Sequence, residues 1–154
     1  MKELIMIWYK ILLALITFNV SFAFAKDMEC QSKIGKRSIC SIAKEISTEM
    51  AKELPMQINK DFTIEKSFHY KNTVTTWGRF NFNEKALTRY LLKTKISQND
   101  FQEKWRVQAK RGICESGSAS REFITSGGVM QYSYVFKDNT PYMTFDIEDC
   151  KSVN

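Results

Sequence analysis

His69 is the only histidine in this 154-residue chain, and so the one side chain whose ordinary pKa suits proton transfer near neutral pH. It stands in the run Glu65-Lys66-Ser67-Phe68-His69, where strand alternation places Glu65, Ser67 and His69 on one face. A base beside a hydroxyl and a carboxylate is the raw material of a hydrolase. The spacing argues against it, because residues two apart on a strand stand roughly 6–7 Å from each other. Ser67 and His69 are then neighbours without being nucleophile and base, and Glu65 is too far away to orient the ring. The local pattern predicts a solvent-facing strand histidine. A hydrolase acting on cell-wall or host polymers through His69 would need a partner brought from elsewhere in the fold.

The other reactive groups point away from catalysis. Ser116-Gly117-Ser118-Ala119-Ser120 does not fit G-x-S-x-G and follows no strand, so it reads as a connection. The chain has no phosphate loop and no dinucleotide fingerprint, and no cofactor is expected. Asp146 and Glu148 could share a strand face with Asp149 nearby, but no further oxygen ligands converge there, so they read as a solvated edge. Four cysteines, Cys30, Cys40, Cys114 and Cys150, occur without a C-x-x-C pair, which disfavours zinc; no metal is expected. An even cysteine count in an exported chain reads as two disulfides. Of the three pairings, Cys30–Cys40 closes a short N-terminal loop and Cys114–Cys150 ties a helix end to the end of the last strand. The longer loop is worth roughly 3–4 kcal/mol in the chain-entropy account.

Export is read from the first residues. Lys2 and Lys10 flank an apolar run from Ile11 to Val20, and Ala23-Phe24-Ala25 precedes Lys26-Asp27. This is the order of a secretory signal peptide over residues 1–25, cleaved after Ala25. The apolar run is short of the roughly 20 residues a membrane span needs. Lys26-Asp27-Met28-Glu29 before Cys30 lacks a lipobox, so no stable membrane anchor is expected. Residues 26–154 then form a single domain, periplasmic or secreted. The leader carries +1 of the formal +6, leaving +5 on the remainder. Such a charge keeps an exported protein soluble and gives weak attraction to anionic surfaces.

The elements that position these residues follow from periodicity. Ile39, Ile42, Ala43, Ile46, Met50 and Leu54 make one helical stripe behind Ser38 as N-cap, stopped by Pro55. Phe62 to Tyr70 alternates, with Phe62, Ile64, Phe68 and Tyr70 on one side. Lys71-Asn72-Thr73 turns the chain into a second strand, Val74 to Phe82, where Gly78 marks a bulge or a close approach. Asn83 caps a helix carrying Ala86, Leu87, Tyr90 and Leu91. Ser97 with Asp100 resembles a capping box for a helix lined by Phe101, Trp105, Ala109 and Ile113. A short helix at Ser120–Thr125 precedes a final hairpin, Met130 to Phe136 and Tyr142 to Glu148, turned at Asp138-Asn139. The expected fold is α+β: one domain, a four-stranded, mostly antiparallel sheet of two hairpins, helices on one face, and two disulfide staples.

On the second strand Trp77, Arg79 and Asn81 lie opposite Val74, Thr76, Phe80 and Phe82. If that face is open, Trp77 and Arg79 form a recognition patch of the kind found at protein interfaces. Tyr132, Tyr134 and Phe136 read as core. Lys104, Arg106, Lys110 and Arg111 spread around their helix instead of forming a stripe, so no nucleic-acid partner is expected.

Leu54-Pro55-Met56, Phe68-His69-Tyr70, Gly112-Ile113-Cys114, Gly127-Gly128-Val129-Met130-Gln131-Tyr132-Ser133-Tyr134 and Ile147-Glu148-Asp149-Cys150 together resemble a family of small exported proteins of Gram-negative bacteria, largely without assigned function. The resemblance runs from about Ile42 to Cys150. It supports the fold and the Cys114–Cys150 bond, transfers no catalytic residue, and leaves Cys30 and Cys40 as an addition to the pattern. The expected function is a non-enzymatic binding or accessory protein whose partner is another envelope or host protein. The rival readings are the His69 hydrolase and an inhibitor or immunity protein against a periplasmic toxin.

Overall fold

The computed structural model describes residues 30–151; the expected leader and its cleavage site lie outside that range. Helix α1 (Ile39–Lys52) buries Ile39, Ala43 and Ser47 against the sheet. Ser38 holds the N-cap backbone position without a side-chain cap bond. Strands β1 (Met56–Asn59), β2 (Phe62–Tyr70) and β3 (Thr73–Phe80) run as an antiparallel meander. Helices α2 (Glu84–Thr94), α3 (Gln98–Ile113) and α4 (Ala119–Thr125) then carry the chain over to β4 (Val129–Val135), and β5 (Pro141–Ile147) closes the sheet.

The sheet has five strands in the order β1-β2-β3-β4-β5, and β3 pairs with β4 in parallel. The sequence predicts four strands in two antiparallel hairpins, and both differences have a physical cause. Every residue of β1 is exposed at the sheet edge, so it lacks the buried alternation that marks a strand. A parallel pair needs a crossover of a dozen residues or more, and the three helices between Phe80 and Val129 supply it. The helix α4 ends in a Schellman turn: Gly128 N–H donates to Phe123 O at 3.0 Å and Gly127 N–H to Ile124 O at 3.0 Å. Gly127 takes a φ of +100° there, which glycine adopts without cost, and β4 begins at once.

One residue decides what β2 shows to each side. The β2–β3 register slips between Ile64 and Lys66, leaving Glu65 as the extra residue of a bulge. Before it, Phe62 and Ile64 point to the helices. Beyond it Ser67 and His69 do so, facing Met50 and Ser47 of α1. Phe68 and Tyr70 therefore lie on the outer side, 48% and 70% exposed. The expected grouping of Phe68 and Tyr70 with Phe62 and Ile64, and of His69 with Glu65, is corrected accordingly: the alternation continues in sequence but is inverted in space by the inserted residue.

Gly78 sits across from the bulge on the helix side, and it marks a close approach. A Cβ there would lie 2.4 Å from Phe62 Cζ and 3.1 Å from Tyr134 Cδ1. Both rings are hemmed in by Phe80 and Trp105. Gly78→Ala should cost about 1–3 kcal/mol by overpacking, read as a lowered urea midpoint; an unchanged midpoint would mean that the Phe62 ring moves aside freely.

The helices cover one sheet face. Val74, Thr76 and Phe80 point into it, with Met130, Tyr132 and Tyr134 of β4 and Met143, Phe145 and Ile147 of β5. Burial of Tyr132 and Tyr134 holds both phenols protonated far above their ordinary range. The β4–β5 turn places Asn139 at a φ of +69°, and Asp138 accepts from Thr140 N–H at 3.1 Å.

Candidate functional site

The helices do not close over the whole core. Between the β1–β2 turn and helices α2 and α3 lies an aromatic groove of about 460 Å³. Phe62, Phe80 and Trp105 form its floor, Phe82, Leu87, Tyr90 and Phe101 its walls, and Asn59, Lys60 and Asp61 its polar mouth. Trp105 meets Phe62 at 5.1 Å and Phe80 at 5.2 Å between ring centroids, and Tyr90 meets Phe101 at 6.3 Å. These tilted and edge-on contacts fix the rings in place, so the groove is formed before anything enters it.

Local sequence aims the two helices. Asn83 Oδ1 accepts from Ala86 N–H at 3.0 Å and starts α2. Lys95, at a φ of +56°, turns the chain out of it. Ser97 Oγ accepts from Asp100 N–H at 3.1 Å and donates to Asp100 Oδ2 at 2.7 Å, which starts α3. Helix α3 has no fully buried residue. Its N-terminal half rests on the groove through Phe101 and Trp105. Its C-terminal half is fastened: Arg106 stands 5.8 Å over the Phe145 ring, Lys110 Nζ reaches Asp149 Oδ1 at 3.0 Å, and Cys114 is bonded to Cys150. The hydrogen bond from Lys110 holds the Asp149 carboxyl below its usual pKa.

His69 Nδ1 lies 3.1 Å from Ser47 Oγ, and Ser47 Oγ donates to Lys44 O at 3.0 Å. The fold thus brings a serine to His69, on α1 and not on its own strand. Ser47 is buried at 4% exposure beneath its helix, and neither residue lines the groove. The contact joins α1 to β2, with Ser47 Oγ engaged by both Lys44 O and the His69 ring. Ser118, from the serine-rich run, caps α4: its Oγ accepts from Arg121 N–H at 3.1 Å and donates to Ile113 O at 2.9 Å. The C-terminal carboxylates have separate partners, Asp146 accepting from Gln131 Nε2 at 3.0 Å and Asp149 from Lys110. Among the described residues no cluster of three His, Cys, Asp or Glu side chains could hold a metal.

Trp77 and Arg79 lie on the sheet face away from the helices, which no described element covers. Arg79 is engaged there: Nη2 donates to Glu65 Oε2 at 2.9 Å, and Nε stands 2.7 Å from Oε1 without hydrogen-bond alignment. The carboxylate raises the Arg79 pKa further. Asn81 leaves the strand and donates to Lys60 O at 2.8 Å, bracing the groove's mouth. The structure pairs Cys30 with Cys40 and Cys114 with Cys150, at Cα separations of 5.1 and 5.4 Å.

No family model matches the chain, and no curated protein matches its sequence. Solved structures match its fold. A Pseudomonas aeruginosa protein classed as secreted superposes with a TM-score of 0.58 at 18% identity, covering 73% of this chain and 93% of that one. EpsS, a pilotin of the Vibrio vulnificus type II secretion system, gives 0.55 at 12%, covering 75% and 92%. AspS, a type II pilotin of Vibrio cholerae, gives 0.52 at 12%, covering 71% and 87%. The likeness to all three is one of fold.

Within that fold, sequence reading finds the residues of the groove without finding the groove. Phe62, Phe80 and Phe82 read as members of strand faces, and Phe101 and Trp105 as a helical stripe. The one available signal is the stripe on α3, a single file at i, i+4, i+8 and i+12, narrower than the apolar face a helix needs to seal a core.

Proposed function

We propose that this protein is a non-enzymatic accessory protein of the bacterial envelope, periplasmic or secreted, that holds an apolar segment of another envelope protein in the aromatic groove. The groove carries the reading: a preformed apolar cleft, edged by a few polar groups, is where a ligand gains most from leaving water. Tyr90 stands half exposed at its lip, and Met56 and Ile58 add exposed apolar surface on the neighbouring edge strand β1, at 43% and 50%. The fold held in common with type II pilotins, and two disulfides suited to an oxidising compartment, support it.

The outer sheet face is the second reading, favoured by the exposure of Phe68 and Tyr70 beside Trp77 and Arg79. An affinity capture from envelope extract and culture supernatant, read by mass spectrometry and followed by titration of the partner, separates the two. Tyr90→Ser with Phe101→Ser should weaken the partner by about 30-fold or more, as loss of anchoring aromatics does, while Trp77→Ala with Arg79→Ala leaves it unchanged. The reverse would move the site to the outer face. Absence of any stoichiometric partner would sink the accessory reading and return weight to a hydrolase, for which His69→Ala is the test.

A further inference from the structure

The net charge of this protein is concentrated in one place. Residues 84–113, spanning α2 and α3, hold eight basic and three acidic side chains, a net of +5. The rest of residues 26–154 holds thirteen of each sign and sums to zero. On α2 the excess forms a row. Lys85, Arg89 and Lys93 recur at i, i+4 and i+8, with Leu92 beside them, on the side of the helix opposite the buried Leu87 and Leu91. No carboxylate among the described residues pairs with any of these three cations.

Folding gives no reason for the row. Like charges at i and i+4 repel and destabilise a helix. Lys93 in the last turn complements the helix dipole, but Lys85 in the first turn opposes it. Leu92, 75% exposed, is the most exposed large apolar side chain among the described residues. A cation row kept against helix stability, with a leucine projecting beside it, is complementary to a surface that is anionic and has an apolar interior close below.

We infer that the outer face of α2 docks on the surface of an anionic phospholipid bilayer, with Lys85, Arg89 and Lys93 at the headgroup phosphates and Leu92 entering the acyl boundary. The contact is peripheral: no described helix is long and apolar enough to cross a membrane. The opposite side of the same helix lines the groove through Leu87 and Tyr90, so a partner bound there would be held beside the membrane. The inference does not depend on the groove having a partner.

Co-sedimentation of the oxidised protein with vesicles tests it. Binding is expected to vesicles of equal parts phosphatidylethanolamine and phosphatidylglycerol, not to phosphatidylcholine alone, and is expected to fall steeply with added salt. Lys85→Gln, Arg89→Gln and Lys93→Gln together should weaken it on the order of 100-fold. The charge-matched triple Lys36→Gln, Lys44→Gln and Lys137→Gln, on exposed sites elsewhere, should change it only a few-fold. Leu92→Ser should weaken it several-fold at unchanged charge. Equal losses in the two triples would reduce the effect to net charge and overturn the proposal. So would failure to bind the anionic vesicles, or tighter binding to a DNA duplex that ignores Leu92→Ser.

Discussion

Phe80→Ala should destabilise the protein by about 3–5 kcal/mol, at the top of the range for removing one side chain from a core. The Phe80 ring is 1% exposed and has aromatic neighbours on every side: Phe62 at 5.2 Å, Trp105 at 5.2 Å, Tyr142 at 5.6 Å and Tyr134 at 5.9 Å. Those rings come from four different elements and lean on one another through Phe80, so the hole cannot collapse without moving several of them. Phe68 on the adjacent strand gives the contrast. It faces outward beyond the bulge, and Phe68→Ala should stay within about 0.5 kcal/mol of the parent. Urea midpoints at constant slope decide the matter. A Phe80→Ala loss below about 1 kcal/mol would mean that the aromatic cluster repacks easily and that the groove floor is soft.

Replacing Cys114 and Cys150 together by serine should cost about 3–4 kcal/mol, for a bond spanning 36 residues. The Cys30–Cys40 bond spans 10 residues, and its removal should cost about 1 kcal/mol less on loop length alone. The longer bond also has a local task. Helix α3 buries no residue fully, and losing the covalent tie leaves its C-terminal half held by the Lys110–Asp149 pair, the Arg106–Phe145 contact, the partial packing of Ala109 and Ile113 and the Ser118–Ile113 hydrogen bond. The serine pair should therefore expose α3 to proteolysis before the sheet unfolds. Equal costs for the two pairs, or cleavage that begins in the sheet, would contradict this.

The sequence spoke clearly wherever structure is decided locally. The caps at Asn83 and Ser97, the positive φ at Asn139 and the inward rings of β4 each depend on residues a few positions apart, and the structure has them. The cysteine count pointed to two bonds, and two are present. What was hidden is non-local. The pairing of β3 with β4 depends on how three intervening helices return the chain, and no residue on either strand encodes it. The bulge at Glu65 leaves the even-numbered run Phe62, Ile64, Phe68, Tyr70 intact in sequence while sending its second half to the other face. Its one trace is Gly78 opposite. Strand β1, four exposed residues after Pro55, has no pattern to read. The serine that meets His69 comes from 22 positions upstream. The groove needs side chains from β2, β3, α2 and α3, and it exists because those helices stop short of covering them, which no single segment can reveal.

Helix α3 is a rod clamped at one end. Its 16 residues make a lever about 24 Å long, with the disulfide as pivot and the groove under the far tip. A tilt of about 5° at the pivot swings that tip by about 2 Å, enough to admit or grip a bulkier side chain. The motion breaks no sheet hydrogen bond, because the lever's arm lies outside the strands. Trp105 rides on that arm against Phe62 and Phe80, so any change in the groove's aperture is also a change in the aromatic floor beneath it.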